Sequence, residues 1–214
     1  MLYAFKQSVK RWVHRRVLPD DFYFRCTGYC PCCDAEVEFL SYHSWLRDYF
    51  KCNRCQSIPR QRALMTVLND RFDNWPALAI HEAAPNDGGA SDKLKASCAR
   101  YVPSHYRPDI ALGSMVDGRR NEDLESQTFE DECFDLVVSQ DVMEHVYEPA
   151  RAFREIARTL KPGGAHVFTV PLVNKHRPTE VWAIKGPDGQ PQFTREPDHH
   201  GPFVVTMHWG YDIV

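Results

Sequence analysis

Two pairs of cysteines constrain the first quarter of this chain more than any other feature of the sequence. The pairs are Cys30 with Cys33 and Cys52 with Cys55, and eighteen residues separate them. This spacing is typical of a site that holds one Zn²⁺ ion on four thiolates. Because four thiolates fill the tetrahedral shell and leave no position for water, we expect a structural ion. The alternatives are two disulfides or four unrelated core thiols.

The composition favours the metal over the disulfides. The chain has 214 residues, of which 43% are hydrophobic, enough for one medium domain and a small appendage. No segment approaches the about 18 apolar residues of a membrane span, and no signal-peptide pattern follows the first residue. These features predict a cytoplasmic protein, and a reducing compartment keeps thiols available for metal. Cys26 and Cys32 lie close enough to replace a neighbouring ligand.

Charge is distributed unevenly along the chain. The formal net charge is -3, yet residues 1–75 carry 12 Lys and Arg against 8 Asp and Glu, and residues 76–214 carry 14 against 21.

Residues 2–17 have apolar positions at helical spacing, which predicts a basic amphipathic helix. Such a helix can lie on an anionic membrane surface, but packing on its own protein is the favoured interpretation.

Strand and helix patterns alternate from residue 78 onward. The strands are predicted at 78–83, 101–102, 134–139 and 166–170, and the helices at 91–100 and 149–160. This alternation predicts an α/β fold, with a doubly wound, mostly parallel sheet between helices. Before it we expect short strands at 36–41 and 48–51 and a helix at 59–72, where Arg60 and Arg62 face water or an anion. The predicted units are 1–20 (helix), 21–60 (zinc module), 61–76 (connecting helix) and 77–214 (sheet domain).

Two segments carry a resemblance to a known family. Residues 134–146 read FDLVVSQDVMEHV, and residues 160–164 read LKPGG. Together they resemble class I S-adenosylmethionine-dependent methyltransferases, closest to the type 11, ubiquinone-biosynthesis-like group. The resemblance covers residues 78–172. Residues 52–62, CNRCQSIPRQR, also resemble bacterial proteins that place a zinc ribbon before such a domain.

The resemblance implies a Rossmann-like methyltransferase fold that binds S-adenosylmethionine, with a small N-terminal zinc-ribbon module. Ligands of an open parallel sheet bind beyond the carboxyl ends of its strands, near the point where strand order reverses. The cofactor-binding residues implied there are Glu82, Ala83, Gly88, Gly89, Ser104, Asp123, Leu124, Gln140 and Asp141. Ala83 stands where the family has a glycine, and Ser104 stands where it has an acidic residue for the ribose.

Catalysis by methyl transfer requires a positioned cofactor and acceptor more than it requires a protein nucleophile. Asp141 and His145 are the catalytic candidates, with His145 as a general base. Asp123 is expected to accept a hydrogen bond from the adenine amino group. Each has a structural alternative: Asp123 and Asp141 could cap turns, and His145 could be a core histidine.

The segment after Val170 predicts an incomplete sheet. A hairpin is expected from residues 181–185 and 192–195 around Pro187-Asp188-Gly189, with one more strand at 204–207. We therefore predict fewer than seven strands in the sheet, with the hairpin lying over the acceptor side as a lid. An uncovered sheet edge leaves pairing with a second chain open.

The sequence does not identify the methyl acceptor, which is expected to react through oxygen or nitrogen. Two other functions are consistent with the same residues. One is a non-catalytic scaffold built from a zinc ribbon and a methyltransferase fold, because the first loop departs from the family pattern. The other is an RNA base methyltransferase whose basic N-terminal end binds phosphates, although no basic platform rich in aromatic residues is evident. The oligomeric state stays open.

Overall fold

The computed structural model describes residues 23–172 and 175–213, so the helix predicted at 2–17 lies outside the described residues. The chain first forms a three-stranded antiparallel sheet from β1 (Phe24–Cys30), β2 (Ala35–Ser41) and β3 (Lys51–Cys52), in that order. We call residues 24–58 the N-terminal module. The prediction of a strand at 48–51 is wrong in its first residues, because Leu46–Tyr49 forms a helical turn, α1, and β3 begins only at Lys51. The Trp45 indole closes that turn by donating to Asp48 at 2.8 Å.

A helix connects the N-terminal module to the second sheet. Helix α2 (Pro59–Arg71) starts with proline in its first turn, where the missing N–H has no intrahelical partner to lose. The Gln61 side chain accepts a hydrogen bond from the Ile58 N–H at 3.0 Å and closes the amino end. Leu64 and Leu68 are buried on its inner side. The helix predicted at 59–72 is therefore confirmed.

The second sheet contains six strands in the order β6-β7-β5-β4-β8-β9. All neighbours are parallel except β6 and β7. Along the chain its elements are β4 (Ala79–Ala83), α3 (Gly89–Ser97), β5 (Arg100–His105), β6 (Met115–Val116), β7 (Arg119–Asn121), β8 (Phe134–Gln140), α4 (Pro149–Thr159) and β9 (Leu160–Thr169). Strand order reverses between β4 and β8, so a crevice opens beyond their carboxyl ends.

Helices cover both faces of this sheet, as the alternating pattern predicts. On one face, α2 and α3 pack on Ile80 and Leu136, and the buried Cys30 and Phe39 of the N-terminal module join the same core cluster. On the other face, α4 packs on Val137. The N-terminal module and the sheet domain therefore share one continuous core.

Strand β9 differs from its prediction at 166–170, since it begins at Leu160. The Pro-Gly-Gly segment at 162–164 lies within β9 and forms an irregularity in it: Phe134 pairs with Leu160, and Leu136 pairs with Ala165. Gly163 has φ of +81°, a conformation that glycine adopts without steric cost.

The C-terminal segment forms small two-stranded sheets apart from the main one. The predicted hairpin is present as β11 (Ala183–Lys185) and β12 (Pro191–Phe193), and it does not extend the main sheet. The other pairs join β10 (Glu180–Val181) to β15 (Met207–His208), and β13 (His199–His200) to β14 (Phe203–Val204). The prediction of fewer than seven strands in the described sheet is confirmed. Among the described residues, no helix has the length and apolar character that crossing a membrane requires.

Candidate functional site

The four predicted cysteine ligands meet at one point of the N-terminal module. The Sγ atoms of Cys30 and Cys55 are 3.7 Å apart, and those of Cys33 and Cys52 are 3.8 Å apart. A tetrahedral ion with Zn–S bonds of about 2.3 Å would separate its sulfurs by about 3.8 Å. Disulfides require sulfurs about 2.05 Å apart, so the geometry fits a four-thiolate ligand set and excludes two disulfides.

Local hydrogen bonds organise the second cysteine pair. The backbone N–H groups of Arg54 and Cys55 both donate to the Cys52 sulfur at 3.4 Å. The Ser57 hydroxyl lies 3.4 Å from the Cys30 sulfur. Burial opposes ionisation of Cys30, but the hydrogen bond with Ser57 and backbone donors outweigh it and lower the thiol pKa to about 7. Such donors stabilise thiolates, the form that binds metal.

The two neighbouring cysteines do not belong to this group of four sulfurs. Cys26 is exposed on β1, where its side chain faces away from the core. Cys32 is buried, and burial raises the pKa of its thiol to about 12, which keeps it neutral. The four sulfurs that meet are therefore those of the two C-x2-C pairs.

At the carboxyl edge of the main sheet, Glu82 is fully buried and ties four elements together. Its carboxylate accepts hydrogen bonds from Ser91 of α3 at 2.6 Å, from Tyr101 of β5 at 2.6 Å and from Gln140 of β8 at 3.0 Å. Burial raises the pKa of Glu82. Gln140 keeps a buried carbonyl oxygen, Oε1, with no hydrogen-bond partner among the described residues.

The loop after β4 packs against the N-terminal module. Ala83, at the end of the strand, is buried, and Gly88 and Gly89 have φ of +91° and +62°. A Cβ on Gly89 would collide with the side chain of Gln61, and one on Gly88 would lie 3.6 Å from the Cys55 carbonyl oxygen. Gly89 thus allows close approach of α2, and Gly88 lies in ordinary contact range of the N-terminal module, beside the position predicted for the cofactor.

The structure directs Ser104 away from the edge where a ribose contact was expected. Its hydroxyl lies 2.8 Å from Nε2 of His81 in the buried layer, where His81 stacks on Phe134. The carboxyl end of β5 instead carries His105, which is half-buried and has Nδ1 without a partner among the described residues. Burial lowers the pKa of His105, with Arg119 adding to the effect. The sequence did not indicate His105, because neighbouring strand residues face opposite sides of the sheet. The pattern alone does not fix whether Ser104 or His105 faces the core.

The two residues predicted near adenine have local structural roles. Asp123 accepts a hydrogen bond from the Glu125 N–H at 2.8 Å, which closes the turn after β7. Leu124 is buried in the core on the α4 side of the sheet. Asp123 therefore holds the loop in place, and its carboxylate remains partly accessible at the carboxyl edge.

Asp141 connects the crevice to the N-terminal module. It follows β8 with φ of +54°, and its side chain is only 12% exposed. Its carboxylate accepts from Arg47 at 2.5 Å, lies 3.1 Å from Nε of Arg60, and accepts from the Thr169 hydroxyl at 2.9 Å. The sequence indicates Arg60 as a possible contact for an anion, but it gives no such indication for Arg47. Nothing near Arg47 in the sequence signals its contact with Asp141, 94 residues away.

Arg62 has a different surrounding from Arg60, although both lie at the start of α2. Its guanidinium lies over the Phe39 ring, 4.4 Å from the ring centre, and donates to the Phe50 carbonyl oxygen at 3.2 Å. Arg62 is partly exposed, and its guanidinium packs the module onto α2.

Glu144 and His145 lie in a short helical turn, Met143–His145, that follows Asp141. Glu144 is fully buried, and burial raises the pKa of its carboxyl to about 8. Nδ1 of His145 lies 2.7 Å from the Val204 carbonyl oxygen, so this nitrogen carries the proton and donates it. Nε2 of His145 then has a lone pair and lies 3.8 Å from Glu144. Burial lowers the pKa of His145.

Comparison with known proteins agrees with the fold. Residues 88–168 match the family model described as "Methyltransferase domain". A sarcosine/dimethylglycine N-methyltransferase from Aphanothece halophytica is 28% identical over 132 residues, 52% of this chain and 45% of the relative. The chain thus spans under half the length of this curated relative.

Solved structures similar to this chain include two methyltransferases. An S-adenosylmethionine-dependent methyltransferase from Mesorhizobium loti is 20% identical, with a TM-score of 0.43 over 69% of this chain and 75% of that one. The trans-methyltransferase CalH in complex with SAH is 20% identical, with a TM-score of 0.38 over 48% and 34%. Residues 88–168 thus match the methyltransferase domain family, and they lie on a doubly wound, Rossmann-like sheet.

Proposed function

We propose that this protein is an S-adenosylmethionine-dependent methyltransferase that transfers a methyl group to an oxygen or nitrogen of its acceptor. The observation that carries the proposal is the match of residues 88–168 to a methyltransferase domain. The doubly wound sheet supports it, since its strand order reverses between β4 and β8 and polar side chains gather beyond them.

The polar groups at this edge fit the parts of the cofactor. Arg47 and Arg60, beside Asp141, supply positive charge for the carboxylate of its methionine part. The unpartnered Oε1 of Gln140 is an acceptor suited to its ammonium group. His105 replaces Ser104 as our proposed partner of the ribose hydroxyls, and Asp123 remains the proposed partner of the adenine amino group. When bound, the cofactor supplies an electrophilic methyl group on a sulfonium.

The protein's own contribution is to hold and orient, because methyl transfer in line needs alignment more than a protein nucleophile. Asp141 is engaged by Arg47, Arg60 and Thr169, which makes it a positioning residue. His145 is held by Val204 and directs a basic nitrogen inward, so it is the better of the two catalytic candidates.

In the N-terminal module, we propose a structural Zn²⁺ ion held by Cys30, Cys33, Cys52 and Cys55, as in a zinc ribbon. The sulfur separations fit the tetrahedral shell, and four thiolates would fill it. The ion would stabilise the surface against which the Gly88–Gly89 loop packs.

Calorimetric titration with S-adenosylmethionine and with S-adenosylhomocysteine tests the proposal. Wild-type protein should bind both, and Arg47→Met should weaken binding at least about tenfold, the scale of a lost charge-assisted hydrogen bond. Arg54→Met is the matched control, because Arg54 is exposed on the same module, and its affinity should equal that of wild type. Absence of binding by folded wild type would overturn the proposal.

One observation favours the non-catalytic scaffold instead. Gln61 fills the space beside Gly89, and the arginine pairs with Asp141 close part of the crevice from the N-terminal side. In a scaffold these contacts would persist without any cofactor. The titration separates the two functions, because a scaffold binds neither compound.

The acceptor can be sought in two directions. The curated relative is named for sarcosine and dimethylglycine, so these amines are the first acceptors to assay. Tyr29, Trp45 and Tyr49 are exposed on the N-terminal module, which lies within the net-basic residues 1–75, and they also keep RNA as an acceptor class. Salt-dependent RNA binding by the full chain, lost on replacing Trp45 with Ala, would support the RNA alternative.

A further inference from the structure

A buried carboxylate next to the proposed active site makes no hydrogen bond to the described residues. Glu144 has 0% exposure, and neither of its carboxylate oxygens has a hydrogen-bond partner among the described residues. The nearest arginines are engaged elsewhere, since Arg47 and Arg60 contact Asp48 and Asp141. Buried carboxylates are ordinarily paired, hydrogen-bonded or bound to a metal ion. A cation bound beside Glu144 would supply the partner that the described side chains do not provide by hydrogen bonding.

Two imidazoles lie beside this carboxylate. Oε1 of Glu144 is 3.8 Å from Nε2 of His145 and 3.7 Å from Nδ1 of His200. The two rings are in edge contact, with centres 5.3 Å apart. The three ligand atoms lie within 4.8 Å of one another. Glu144 and His145 come from the turn after β8, while His200 comes from β13, over fifty residues later.

The orientation of His145 is that of a metal ligand. Its Nδ1 donates to the Val204 carbonyl oxygen at 2.7 Å, which fixes the tautomer and turns the Nε2 lone pair toward Glu144. Histidines that bind metals commonly donate their second ring nitrogen to a backbone carbonyl in this way. Val204 lies in β14, which pairs with the strand that carries His200, so one hairpin supplies a ligand and orients another.

We propose that Glu144, His145 and His200 form a binding site for a divalent first-row transition ion, with Zn²⁺ as the probe of choice. Two imidazoles and a carboxylate are the protein ligands of one class of open zinc site and of the facial iron site. Bonds of about 2.1 Å in a tetrahedral shell place ligand atoms about 3.4 Å apart. The present separations of 3.7 and 3.8 Å are slightly wider, and His200, with a side chain 48% exposed, has room to shorten its own 3.7 Å separation from Glu144.

This site differs from the four-cysteine cluster in its chemistry. Three protein ligands leave one position for water or for an acceptor oxygen, whereas four thiolates leave none. The ion would also join the C-terminal hairpin to the turn after β8, at the edge where we propose that the acceptor binds. It would occupy the Nε2 lone pair of His145 and replace that residue's role as a general base. Metal binding itself does not depend on methyl transfer.

Metal titration of the full chain tests the site without any activity measurement. Metal-stripped wild type, reloaded with Co²⁺, should take up two ions per chain. One should show the intense thiolate-to-metal absorption of the cysteine cluster, and the other only weak ligand-field bands. Glu144→Gln and His200→Ala should each bind one ion and retain the thiolate spectrum. His199→Ala is the matched control, because His199 is the exposed neighbour in the same strand, and it should bind two.

Thermal unfolding provides the second measurement. Added Zn²⁺ should raise the unfolding temperature of wild type and His199→Ala beyond any rise in His200→Ala, because binding to the folded state stabilises it. His200→Ala is expected to fold, since the side chain is half exposed. Uptake of a single, thiolate-bound ion by wild type would overturn the proposal, as would two ions in both Glu144→Gln and His200→Ala.

Discussion

Nε of Arg60 lies 3.1 Å from the carboxylate of Asp141, which joins the first turn of α2 to the residue after β8. Arg47 of α1 contacts the same carboxylate at 2.5 Å. Both side chains of the Arg60–Asp141 pair are mostly buried, with exposures of 21% and 12%. The N-terminal module, through Arg47, and α2, through Arg60, therefore each contribute a charged group beside Asp141.

Replacing Asp141 with Asn should destabilise the protein by about 1–3 kcal/mol, because two arginines lose their charged partner. Urea unfolding measures the loss. A double-mutant cycle with Arg60→Met should give a coupling energy of about 1 kcal/mol or more. Additive effects of the two substitutions would show that the Arg60–Asp141 ion pair does not stabilise the contact between α2 and the residue after β8.

Replacing Cys33 with Ser should remove the thiolate-bound zinc and lower the free energy of unfolding by several kcal/mol, on the order expected for a structural ion. Elemental analysis and urea unfolding measure the two effects. Cys26→Ser is the control, because Cys26 is exposed and outside the four-sulfur group. Full zinc content and stability in Cys33→Ser would contradict the assigned ligand set.

Replacing Asp123 with Ala should weaken S-adenosylmethionine binding by about 1–2 kcal/mol, the scale of a lost hydrogen bond and its accompanying turn. Asp123→Asn keeps an acceptor for the Glu125 N–H, so the turn persists and affinity should fall less. Calorimetry compares the two variants. Equal affinity of Asp123→Ala and wild type would remove Asp123 from the site.

The contribution of the buried His81 to the free energy of unfolding should rise with pH between about 3 and about 6.5. Burial lowers the pKa of His81 to about 3, whereas an unfolded histidine has a pKa of about 6.5. In this range the unfolded chain binds the additional proton, so stability falls as pH decreases, by up to about 1.4 kcal/mol per unit. His166, with a pKa lowered by burial to about 4, adds to this trend.

The variant His81→Gln isolates one contribution, because glutamine stays neutral and can still bond to Ser104. Its stability, measured by urea unfolding at pH 5 and pH 7, should change less with pH than that of wild type. His199→Gln, at an exposed position, should follow wild type. A pH dependence in His81→Gln as steep as that of wild type would contradict the prediction.

Much of the architecture could be predicted from the sequence, because the signals are local. Each C-x2-C pair places two cysteines on one tight turn, so the spacing alone predicted the four sulfurs that meet in the structure. Proline in a first turn and apolar residues at helical spacing identified α2 and α4. Alternating strands and helices likewise predicted the doubly wound sheet, because a parallel connection requires a crossover.

The tertiary structure alone decided which distant side chains meet at the crevice. Nothing local to Arg47 indicates Asp141, and nothing local to Glu144 indicates His200. The phase of β5 places Ser104 in the core and His105 at the edge, since a shift of one residue exchanges the two faces of a strand. Residue spacing determines the pattern within an element, whereas the packing of elements against one another determines the partners between them.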